Sequence, residues 1–166
     1  GALFESVTLV RAILEQIAWA IDIRPLDSDA EIQARKASHA ITALKRVHRS
    51  AGRFNGWLSA HAHWAYDAHI KAFDTSTDFI GIRLANCLFK AEALAAALVL
   101  FDIAEQAHGH VFEELGAPRT LDWAQALPFG TETSATASSL ISEIRSLVPD
   151  HDDLQQLAQM VEPLRG

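Results

Sequence analysis

At 166 residues, 49% apolar and 21% charged, the chain has the make-up of one globular domain with a sizeable core, not of a disordered segment. Its net charge of −7 disfavours a nucleic-acid-coating surface, because neutralising phosphates takes clustered Lys and Arg. The longest apolar run, Ala93–Phe101, falls well short of the roughly 20 residues that cross a bilayer.

A local anion site is left open by Lys45, Arg46, Arg49 and Arg53. One cysteine, Cys87, cannot form an internal disulfide, and a reducing cytoplasm is the expected setting. No signal peptide is read ahead of the first helix. The chain opens Gly1-Ala2 with Met160 as its only methionine, which reads as a trimmed segment or one domain of a longer protein.

Helical periodicity dominates. A first helix is expected over Leu3–Ile23, burying Val7, Val10, Leu14, Ile17 and Ile21, and Pro25 stops it. Asp27 or Ser28 caps a second helix, with Asp29 and Glu31 suited to its positive end; it carries Ile32, Ile41, Leu44 and Val47 and closes near Ser50–Gly52. A third segment spans Asn55–Phe73, and Asp74–Asp78 reads as a turn. Phe79–Ile82 is the one apolar patch that could be extended, weakened by Gly81. The longest helix runs from Phe79 or Arg83 to Leu115, closed by Gly116 and Pro118. Residues 117–132 form a connector, and two short helices follow at Ser134–Val148 and Asp150–Leu164, separated by Pro149.

These elements predict an all-α fold: an antiparallel bundle of four main helices with a small C-terminal helical pair. Residues 1–116 would form the bundle, and 117–166 the connector and a helical hairpin packed on it.

The segment Arg53–Lys71 sets His61, His63 and His69 among Trp57, Trp64 and Asp67, with His48 just upstream. A buried imidazole must find hydrogen-bond partners, so this cluster is the first place to look for function. Arg11 and Glu15 stand four apart on an otherwise apolar helix, which brings their side chains together on one face. They can orient a substrate, hold the histidine segment, or simply form a structural ion pair. With His63 they would make a polar knot. If that pair is buried, Glu15→Ala should cost on the order of 3 kcal/mol.

Glu105-x-x-His108 has the spacing of di-iron bundles, but such sites need a second copy of the motif and two more carboxylates. Glu15, Glu92 and Asp102 do not repeat the pattern. His61-x-His63 with Asp67 and His69 could gather zinc with His108 or His110 from another helix. The metal candidates are therefore His61, His63, His69, Glu105 and His108. Ser59, His63 and Asp67 align on one helical stripe but lack an oxyanion hole and a strand–turn–helix elbow. His151-Asp152 is a metal-phosphohydrolase dipeptide without the other ligands, and an acidic helix cap explains it more simply.

Arg11-Ala-Ile-Leu-Glu15 and Leu58-Ser59-Ala-His-Ala-His63, with the long Ala-rich helix after them, resemble a set of bacterial all-helical proteins related at a distance to the HEPN superfamily. The resemblance covers about residues 5–115. HEPN ribonucleases carry Arg-x4–6-His on a helix. The formal match here, Arg145-x5-His151, contains Pro149, which breaks the helix, so those catalytic roles do not carry over.

The resemblance implies a non-catalytic interaction or regulatory module in a bacterial defence or toxin–antitoxin setting. It would bind a protein partner or self-associate through aliphatic surface on residues 84–104. No cofactor is expected. The alternative is an enzyme: RNA-cleaving with a site built on Arg11, Glu15 and His63, or metal-dependent through the His61/His63/His69 cluster. An enzyme should gather these side chains in one open pocket, and a module should bury or scatter them.

Overall fold

The computed structural model describes residues 2–63, 73–74, 81–82, 87–116, 133–148 and 151–161. They form seven helices: α1 (Ala2–Ile23), α2 (Asp29–Ala34), α3 (Ala37–Val47), α4 (Ala51–Ala62), α5 (Cys87–Glu114), α6 (Thr133–Leu147) and α7 (Asp152–Ala158). Between α4 and α5, β1 (Phe73–Asp74) pairs antiparallel with β2 (Gly81–Ile82). The described residues are all-α apart from this two-residue ladder.

α1 follows its apolar spacing. Val7, Leu14 and Ala18 are fully buried and Val10 nearly so, while Ile17 and Ile21 pack on the same core from half-buried positions. It ends ahead of Pro25 in a turn closed by the Leu26 amide on the Ile23 carbonyl at 2.9 Å.

The expected second helix is in fact two. Ser28 caps α2: its hydroxyl oxygen accepts from the Glu31 amide at 3.3 Å and its hydroxyl donates to the Glu31 carboxylate at 2.8 Å. Arg35 and Lys36 are both extended, with ψ of 135° and 131°, and they separate α2 from α3. The reason lies in the apolar pattern. α2 buries no residue, whereas α3 carries buried Ala40, Ala43 and Leu44 and docks on α1. A break frees the docking half from the exposed half.

The long helix also starts later than Phe79. Gly81–Ile82 pairs with Phe73–Asp74, which removes those residues from it. The turn expected at Asp74 is likewise strand, and Arg83 lies outside the described residues. Gly116, at φ +61°, closes α5, its amide bonding the Glu113 carbonyl at 3.1 Å. A left-handed glycine just past the last turn satisfies carbonyls that the helix leaves over. The connector 117–132 and Leu164 lie outside the described residues, and α7 is shorter than expected, ending at Ala158.

α1 packs on α3, α4 and α5; α6 and α7 pack on α5 and on each other. The Phe4 and Phe89 rings meet edge-on with centroids 6.2 Å apart, and Arg24 pairs with Glu114. These contacts place start beside start and end beside end, so α1 and α5 run in the same direction. That departs from strict alternation, and the long connection between α4 and α5 permits the crossover. Leu14, Leu44, Phe54, Leu58, Ile103 and Ile141 are fully buried in one cluster that also takes in Leu154 and Leu157 of α7.

Candidate functional site

Two polar constellations are built on this frame. The first joins α1 to the end of α4. Arg11 donates from Nε to Glu15 Oε1 at 2.9 Å, as the i, i+4 spacing dictates. Its Nη1 lies 2.8 Å from His63 Nε2. A guanidinium only donates, so His63 must accept at Nε2 and carry its ring proton on Nδ1. The three side chains expected to form a knot do meet.

They meet near solvent, however. The side chains of Arg11 and Glu15 are 26% and 39% exposed, and His63 is exposed. The pair is therefore screened, and the buried-pair magnitude does not apply. Glu15→Ala should cost only about 0.2–1 kcal/mol, read by urea denaturation. A loss near 3 kcal/mol would show the pair to be far less hydrated than its exposure indicates.

The second constellation is buried and draws on α4, α5 and the start of α7. Trp57 donates from Nε1 to Asp153 Oδ1 at 3.0 Å. His61 Nε2 stands 3.9 Å from Asp153 Oδ2, and its Nδ1 bonds the Trp57 carbonyl at 2.9 Å. His151 Nε2 lies 3.2 Å from Glu92 Oε1. Glu92 is fully buried, and His61 and Asp153 are 6% and 7% exposed. One ligand atom each from Glu92, His151 and Asp153 lie within 4.8 Å of one another.

His61 and His63 thus serve different sites. Residues two apart on a helix point to nearly opposite sides, so His61 turns inward and His63 outward. They do not share a zinc ion, and His69 and Asp67 lie outside the described residues. Glu105 and His108 join no group of three close metal-ligand atoms among the described residues; His108 stacks on Phe112 at 4.4 Å. His110 pairs with Glu114 at 3.3 Å. His48, fully buried, bonds Asp102 Oδ2 at 3.0 Å.

The sequence reading missed the buried set as a unit. It weighed Glu92 only beside Glu105-x-x-His108 and read His151-Asp152 as part of an acidic helix cap. One signal was there: Glu92 shares its helix face with Ala95, Ala96 and Val99, all core residues, so it had to point inward.

Where the ends of α1 and α5 meet α3, a cleft of about 370 Å³ is lined by Asp22, Arg24, Arg35, Arg46, His110 and Glu114, among others. Most of its charges pair: Arg24 with Glu114, and Arg35 with Asp22 at 3.8 Å. Of the basic residues that suggested an anion site, Arg46 lines this cleft. Arg53 instead bonds Ser50 Oγ and the Gln159 carbonyl, at 2.9 and 3.2 Å.

No family model, curated protein or solved structure matches the chain. Function must be argued from its own surfaces and side chains.

Proposed function

We propose that this domain is a helical interaction module that pairs with a second copy of itself through the outer face of α1. The observation that carries this reading is the composition of that face. From Thr8 to Ala20, seven positions of α1 are exposed; none is charged, and five are apolar: Leu9, Ala12, Ile13, Trp19 and Ala20. Leu9 is 62% exposed and Ile13 41%. A helix apolar on both its core side and its outer side is built to be covered on both.

A second copy suits the outer side. Between Thr8 and Ala20 the strip carries no charge, with Glu5 one turn before it, so two copies can meet there about a two-fold axis without opposing like charges, despite a net charge of −7 on each chain. Arg11, Glu15 and His63 flank the strip and tie the end of α4 to α1, which keeps the face rigid. This differs from the expectation for residues 84–104. Most of α5 is buried or half-buried there, and only Lys90, Leu94 and Ala97 are exposed among its described side chains.

Sedimentation velocity across a concentration series tests the reading. Wild type should show a dimer that the Leu9→Glu/Ile13→Glu double variant loses, with its circular dichroism unchanged. A wild type that stays monomeric into the high micromolar range would overturn self-association, as would a dimer indifferent to the two glutamates. No helix of the described residues is long and apolar enough to cross a membrane, so the strip is not part of a spanning segment there.

A further inference from the structure

We propose that Glu92, His151 and Asp153 hold a single divalent transition-metal ion, with His61 as a fourth donor. This goes beyond the docking reading and does not depend on it. The three side chains come from α5 and from the start of α7, two segments far apart in sequence, and their ligand atoms fall within 4.8 Å of one another. In a tetrahedral zinc site with bonds near 2.1 Å, ligand atoms sit about 3.4 Å apart. His151 Nε2 and Glu92 Oε1, at 3.2 Å, already have that separation. Asp153 has to move inward to complete the three, and His61, whose Nε2 stands 3.9 Å from Asp153 Oδ2, has to follow it as the fourth donor.

The donor chemistry selects the ion. Two carboxylates and one or two imidazoles suit zinc, cobalt, iron or manganese, whereas magnesium and calcium favour all-oxygen surroundings. Burial sharpens the case: Glu92 is fully enclosed and Asp153 nearly so. A cation between them would offset the desolvation of both carboxylates.

The surroundings orient the donors. Trp57 fixes one oxygen of Asp153, and the other faces His61. His61 holds its Nδ1 on the Trp57 carbonyl, which turns Nε2 toward the same carboxylate. Imidazoles that ligate metals are commonly tethered in this way through the other ring nitrogen.

Untagged protein stripped with chelator should bind one equivalent of Co²⁺ or Zn²⁺ by titration calorimetry. Co²⁺ should produce visible d–d absorption, and either ion should raise the melting temperature, with Mg²⁺ having no effect. Glu92→Gln and Asp153→Asn should each abolish the bands and the thermal shift, and His39→Ala, at an exposed position, should preserve them. Should the two core variants fail to fold, Trp57→Phe decides. Co²⁺ should quench the wild-type tryptophan emission, and most of that quenching should be lost when Trp57 is replaced. Absence of saturable binding, bands that survive in folded Glu92→Gln or Asp153→Asn, or quenching independent of Trp57 would each overturn the site.

Discussion

Asp102→Ala is expected to lower the free energy of unfolding by about 3–5 kcal/mol. The side chains of His48 and Asp102 are both 0% exposed, and they join the end of α3 to the middle of α5 across 3.0 Å. Removing one partner of a buried polar pair costs more than the pair is worth, since the group left behind loses that bond where water does not replace it. Gln106 also reaches Asp102 Oδ1, at 3.4 Å, so the same substitution loosens a second side chain. For a chain of this length the melting temperature should fall by on the order of 10 °C. Asp102→Asn, which keeps the shape and one acceptor, should cost distinctly less. A loss under about 1 kcal/mol for the alanine variant would mean that water reaches the imidazole.

Phe54→Ala should cost about 3–5 kcal/mol, from lost transfer energy and the cavity left behind. Phe54 heads the fully buried side chains by volume and lies on α4, which packs against both α1 and α3. Three elements would have to move together to fill the gap, so relaxation should be small and the cost toward the upper end. Phe54→Leu keeps most of the buried area and should lose much less. Guanidinium denaturation of both variants measures the difference, and near-equal losses would show that the pocket collapses freely.

Much of the frame was legible in the residues. Val7, Leu14 and Ala18 recur at helical spacing, Pro25 marks one stop, and Gly116 marks another with its backbone in the left-handed region. The break at Arg35–Lys36 was not legible, because both residues are acceptable inside a helix. It comes from docking, which rewards α3 and does nothing for α2. The meeting of Arg11, Glu15 and His63 was one of the arrangements expected from the i, i+4 pair on an apolar helix. Its degree of exposure was not expected, because hydration depends on the distance between α1 and the end of α4. The Glu92–His151–Asp153 group was hidden for another reason. Glu92 lies about sixty residues from His151 and Asp153, and only the packing of α7 on α5 makes them neighbours.

That packing bears on how the chain matures during synthesis. A helix of seven residues is too short to persist in water, so α7 takes shape only on the surface it covers. Until residues 151–160 leave the ribosome, the carboxylate of Glu92, the indole of Trp57 and the seats of Leu154 and Leu157 stay open to water or to chaperones. The nascent bundle should therefore remain loose until α7 has emerged and docked.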